Sequence, residues 1–117
     1  MPEHESLVRL RHMLDYARDA VTIASGKSRG DLETDHMLDL ALKHAVMLVG
    51  EAANHVSTDI QEEHSDIAWS QMIGMRNRLI HGYDFIDHDI LWSTVSEDLP
   101  ILIKQLEEIV PPEEAEG

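Results

Sequence analysis

Apolar residues recur at Leu7, Leu10, Leu14, Ala17, Val21 and Ala24. Steps of three and four put them on one face of a helix over residues 5–25, with Ser6 as its candidate cap and Gly26 as its stop. Lys27 to Gly30 reads as a loop. A second helix is predicted from Asp31 to about Val56, with Met37, Leu40, Ala41, Leu48, Ala52 and Val56 inward; at ~1.5 Å per residue it would be close to 40 Å long. Gly50 inside it costs about 1 kcal/mol against Ala, which points to the close approach of another helix. Residues 57–68 are polar and read as a connection with room for a short helical turn. The third helix covers Ala68 to Ile80, and Gly82 ends it as a left-handed cap would. Asp84 to Asp87 is a turn, after which Asp87 or Asp89 begins the last helix. Ile90, Leu91, Val95, Leu99, Leu102, Ile103 and Leu106 form its inward set. Pro100 falls within that set. It lacks an N–H and clashes with the preceding turn, so a kink or break is expected near Glu97 to Leu99. No strand signal, repeat or second domain is visible. The pattern predicts an all-α, up-and-down bundle of four to five helices over residues 1–110, followed by an acidic, disordered tail at 111–117.

Composition narrows the classes. The 117 residues suit one domain with a core of its own. There is no cysteine, hence no disulfide, thiol nucleophile or thiolate metal site. No apolar run is long enough to span a bilayer, and the N-terminus lacks the apolar core of a signal peptide. A soluble cytoplasmic protein without a membrane partner is therefore expected. The charge is strongly acidic: nine Lys plus Arg against 23 Asp plus Glu, a formal −14. Such a surface repels polyanions at long range and lacks the basic stripe of a non-specific nucleic-acid binder. If a nucleic acid is the substrate, attraction must be local, around Arg76 and Arg78, and doubled by a dimer partner; the alternative is a basic partner protein that supplies the complementary field. Five residues are aromatic, so the core is aliphatic and Met-rich. Tyr83 and Phe85 either stack on a base or close the end of the bundle.

The densest chemistry lies in Arg76-Asn77-Arg78-Leu79-Ile80-His81-Gly82-Tyr83. Arg grips a phosphate through paired hydrogen bonds and keeps its charge, while His gives and takes protons near neutral pH. Together they read as a phosphoester site. The competing reading is a basic turn ending a helix, with His81 as a C-terminal cap. Five residues separate Arg76 from His81, about 140° around an ideal helix, so convergence requires the long Arg stem, the bend at Gly82 or a dimer partner. A second cluster, His44, Glu51 and His55, shares one face of the second helix. Glu51 and His55 at i and i+4 are candidate metal ligands, but the spacing suits a polar seam better, and no metal site is assigned. His4, His12, His36, His64 and His88 have no partner pattern and read as surface residues. Asp35, His36 and Asp39 read as a solvated face.

The spacing Arg76, four residues, His81, one residue, Tyr83 resembles the R-x4-H-x-Y motif of the HEPN superfamily. It is most similar to the HepT-like branch, toxins paired with small MNT-type nucleotidyltransferase antitoxins. Asn77 fits, as do Gly50-Glu51-Ala52-Ala53-Asn54, Trp69 and Met75, and Asp87, Trp92, Asp98, Leu99 and Pro100 downstream. The resemblance covers residues 5 to 110. It implies a HEPN-like homodimer whose two motifs line a shared groove, and RNA cleavage without metal or other cofactor. Arg76 and His81 would be catalytic, with Asn77 orienting His81 or a phosphate oxygen and Glu51 positioning Arg76. Arg76 and Arg78 would contact RNA. Tyr83 would be the residue to which the antitoxin attaches AMP. Two other readings stay open: a non-catalytic nucleotide- or partner-binding module that docks a nucleotidyltransferase, favoured by the acidic charge, and a structural dimer with a degenerate site.

Overall fold

The computed structural model describes residues 4–82 and 86–112. Described residues form helices and connections without a strand. In chain order the helices are α1 (His4–Ala24), α2 (Asp31–Thr34), α3 (His36–Asn54), α4 (Thr58–Glu63), α5 (Trp69–Gly82), α6 (His88–Ser93) and α7 (Leu99–Ile109), with a π-helical turn, Thr94–Asp98, joining α6 to α7. The last three segments run on as one rod. Four long rods thus carry the bundle, and α2 and α4 are short connectors. The bundle measures 45 × 34 × 20 Å, and the thin dimension fits two layers of helices. Central α3 packs against α1 on one side and α5 on the other, while α1 also holds α7.

Leu10, Met13, Leu14, Ala17 and Ala20 bury the inner face of α1. Gly26, at φ 76°, ends the approach to the loop, and among described residues it alone has a positive φ. Gly82 therefore does not act as a left-handed cap: it lies inside the last turn of α5. Ser6 is not a cap either. It lies within α1 and is buried, and its Oγ accepts from the Ser57 N–H at 3.3 Å, joining α1 to the start of α4.

The predicted second helix is two helices. Asp35 leaves the helical conformation, at φ −110° and ψ 93°, and its side chain accepts from the Leu38 N–H at 3.1 Å. Capping of α3 outcompetes continuation from α2, as expected of a short carboxylate that can bond the backbone ahead of it. The inward set also shifts. Leu38, Leu42, Ala45, Val46, Val49, Ala52 and Ala53 are buried, whereas Met37 is 80% and Leu40 39% exposed. Apolar residues surround α3, which packs on two neighbours, so spacing alone leaves its phase ambiguous.

Asp39 and His88, which the sequence pattern places on the surface, belong to a network instead. Asp39 and Lys43 are buried, with Lys43 Nζ donating to Asp39 Oδ2 at 2.9 Å. The His88 ring stands between two carboxylates, Nε2 3.0 Å from Asp39 Oδ1 and Nδ1 3.0 Å from Glu33 Oε1. Arg29 extends the chain to Glu33 at 2.7 Å and to Asp89 at 2.6 Å. These bonds tie the start of α6, which Asp87 caps through the Asp89 N–H, to α2 and α3. His88 holds the Glu33 carboxyl below its usual range, and Arg29 adds to the effect.

Pro100 produces the expected irregularity in a specific form. It sits in the first turn of α7, directly after the π turn, where the Leu99 N–H reaches back five residues to the Thr94 carbonyl. The wider turn removes the need for the N–H that proline lacks. Beyond α7, Val110 is buried and the Pro111 carbonyl accepts from Arg11 Nη2 at 3.0 Å. Residues 113–117 of the expected tail, with Tyr83, Asp84 and Phe85, lie outside the described residues.

Candidate functional site

The motif helix α5 is held by Trp69, Met75 and Leu79, which are buried. Trp69 also donates from Nε1 to the His64 carbonyl at 3.0 Å, fixing the helix start. With Met75 and Leu79 facing the core, Arg76 falls at the boundary between α5 and α3. Gly50 sits opposite it. A Cβ built on Gly50 would lie 2.4 Å from Arg76 Cβ and 2.5 Å from the Met72 carbonyl oxygen. The absent side chain brings the two backbones together at the motif arginine, the close approach expected of that glycine.

Glu51, next to Gly50, then meets Arg76. Its Oε2 accepts from Arg76 Nε at 3.0 Å, and its Oε1 lies 3.0 Å from His55 Nε2, one turn along α3. Asn77 Oδ1 accepts from Arg76 Nη1 at 2.7 Å. The guanidinium is thus gripped from two sides. Arg76 holds the Glu51 carboxyl below its usual range, with His55 a smaller contributor. The pair is partly exposed, with 25% of the Arg76 side chain and 39% of the Glu51 side chain accessible, so the fixed geometry matters more here than the net energy.

Structure therefore brings Arg76, Glu51, Asn77 and His55 together. His81 and Arg78 are exposed on the same helix. His81 lies about 140° around an ideal helix axis from Arg76, and Arg78 about 200°, so neither shares its face. The Asn77 carbonyl bonds Arg76 instead of His81. Tyr83 is outside the described residues. His44 is exposed and borders a separate depression with Tyr16, Ile23 and Leu48. Among the described residues no three His, Asp or Glu side chains are placed to hold a metal ion. An apolar cavity of about 180 Å³ lies between α3, α5 and α7, lined by residues such as Val49, Met72, Met75 and Leu102. The polar groups around Arg76 do not line it. The His88 network escaped the sequence reading because its carboxylates lie 49 and 55 residues away along the chain. Of the expected seam of His44, Glu51 and His55, only Glu51 and His55 meet, at 3.0 Å.

An all-helical bundle whose motif arginine is set against a glycine–glutamate step on the neighbouring helix fits the HEPN type. The chain belongs to the HepT-like ribonuclease family, whose profile matches residues 13–109. It is 32% identical over 104 residues to a candidate RNase of Caldanaerobacter subterraneus subsp. tengcongensis, covering 89% of this chain and 93% of that one. A candidate RNase of Methanocaldococcus jannaschii is 32% identical over 98 residues, 84% of this chain and 90% of the relative. A protein named probable ribonuclease HepT, from Thermococcus cleftensis, is 35% identical over 79 residues, 68% of this chain and 72% of its own. No solved structure gives a significant match. Family membership and the names of these relatives support ribonuclease activity. Among the described residues, no helix is long and apolar enough to cross a membrane.

Proposed function

We propose that this ribonuclease is the toxin of a two-component toxin–antitoxin module, a cytoplasmic endoribonuclease that cuts RNA at Arg76 and His81 without metal. The observation that carries this reading is the doubly held guanidinium. Glu51 and Asn77 fix Arg76 at 3.0 and 2.7 Å, on the helix whose exposed last turn carries His81. Arg76 binds the scissile phosphate and stabilises the charge that grows on its oxygens. The ribose 2′-hydroxyl attacks phosphorus, an O–P bond forms and the bond to the 5′-oxygen breaks, leaving a 2′,3′-cyclic phosphate. His81 moves the proton, taking it from the 2′-hydroxyl or giving it to the leaving oxygen. The nucleophile is internal to the substrate, so no metal-activated water is required. Arg78 adds a phosphate contact.

Two further parts complete the reading. The separation of Arg76 and His81 around α5 favours a homodimer in which two motif helices share one groove. The MNT-type nucleotidyltransferase antitoxin silences the toxin by placing AMP on Tyr83, whose added phosphate competes for Arg76 and His81. The acidic surface favours a second reading, a docking module for that transferase.

Incubation of the purified protein with end-labelled RNA, with and without EDTA, tests the proposal. Cleavage should persist in EDTA and fall by roughly 10²- to 10⁴-fold in His81→Ala and in Arg76→Ala. Equal cleavage by either variant refutes the site, and no cleavage by wild type favours the docking module. Light scattering showing a monomer at micromolar concentration refutes the shared groove.

A further inference from the structure

Two glycines lie in helix interiors of this bundle, away from the end turns, where Ala would be cheaper, and they differ in kind. Gly50 is required by the contact with Arg76. Gly74, in the middle of α5, is not: a Cβ there meets nothing within 4 Å. It faces an open groove of about 780 Å³ between α4 and α5.

The groove joins the motif. Gly74, Asn77 and His81 follow one another around α5 at steps of three and four, so the groove runs along the helix face that ends at His81. Asn77 belongs to both, lining the groove and bonding Arg76 at 2.7 Å. The groove walls carry two immobilised amides. Gln61 is fixed by its Nε2, which donates to the Val56 carbonyl at 3.1 Å and the Ala53 carbonyl at 3.3 Å. Its side-chain oxygen remains as an acceptor. Asn77 is fixed by its oxygen, leaving an NH2 group as a donor. Thr58 adds a hydroxyl, Ile73 and Gly74 an apolar floor, and Glu62 is the one charged lining residue.

We propose that the α4–α5 groove binds unpaired bases of the substrate RNA flanking the scissile phosphate. The inference rests on the ribonuclease reading of Arg76 and His81. A preset donor and a preset acceptor suit the edge of a base, and an apolar floor suits its face. The lining offers no cation for phosphates, which remain the task of the arginines. This division lets a strongly acidic chain select RNA without a basic stripe. Single strands are the substrate class, since paired bases hide both the edge and the face the groove would read.

The test fills the groove. A labelled 12-nucleotide single-stranded RNA is titrated by fluorescence anisotropy against full-length His81→Ala, which binds without cutting. The titration is repeated with Gly74→Phe or Ser70→Trp added. Ser70 is an exposed groove residue, and it keeps the test decisive if Gly74→Phe fails to fold. Each obstruction should weaken binding tenfold or more, with the melting temperature retained. An RNA duplex should bind weakly and respond little. Unchanged affinity in a folded obstructed protein overturns the groove, as does equal loss of duplex binding. Loss of RNA binding together with dissociation of a dimer also overturns it, because the groove would then be a protein seam. Wild type that cuts RNA while the obstructed variants bind normally sinks the groove alone; wild type that never cuts RNA sinks the ribonuclease site beneath it.

Discussion

The Cβ that Gly50 lacks would stand 2.4 Å from the Cβ of Arg76, so the motif arginine is placed by an absent methyl group. Gly50→Ala gains helix propensity, about 1 kcal/mol, but forces α3 and α5 apart against the Met72 carbonyl, which cannot rotate away. Overpacking costs about 1–3 kcal/mol. A net loss of stability in urea melts is expected, with cleavage falling further than stability explains. A more stable Gly50→Ala would show that the helices separate freely.

Glu51 gives the protein a sign-definite response to acid. Its carboxyl lies below the ordinary range in the folded state because Arg76, and secondarily His55, favour the charged form. Such a group contributes stability above the ordinary carboxylate range and loses it as pH falls through the lowered value. The melting-temperature difference between wild type and Glu51→Gln should be largest near neutral pH and shrink on acidification. A difference that grows in acid contradicts this.

Asp39 is shared by Lys43 at 2.9 Å and His88 at 3.0 Å in a buried setting. Asp39→Ala strips both groups of that anion and should cost on the order of 3 kcal/mol in chemical denaturation. It should also loosen the start of α6, seen as faster amide exchange at Ile90 and Leu91. A loss below about 0.5 kcal/mol would make the network ornamental.

Tyr83→Phe keeps the imidazole and the guanidinium and should still cut RNA. Intact-mass measurement with the transferase, ATP and magnesium should find one or more AMP units on wild type and none on Tyr83→Phe. An adduct on the variant moves the modification elsewhere.

Much of this architecture is readable where a local rule decides. The α1 stripe, the Gly26 stop and the tight packing at Gly50 follow from spacing, backbone freedom or propensity, and the last helix starts after Asp87, one of the two acids the pattern allows. The break at Asp35 is not legible, because a carboxylate inside an apolar periodicity does not announce whether it caps or continues. Spacing places Met37 and Leu40 inward because α3 is apolar on several sides. The sequence shows no partner for His88 because its partners are distant along the chain. At the site, Glu51 meeting Arg76 was legible through the glycine–glutamate step. Asn77 bonding Arg76 was not, since adjacency along a helix does not fix where two side chains point.

The π turn at Thr94–Asp98 sets a constraint of another kind. One extra residue in a helix turns everything beyond it by about 100°. The core positions Leu99, Leu102 and Leu106 of α7 therefore depend on a count of residues upstream as much as on their own identity. Apart from buried Val95, the segment should tolerate exchange of one side chain for another. Removal of a single residue should let the wide turn close to an ordinary α turn with the leucines still facing α1, whereas insertion of a further residue should swing them away and expose them.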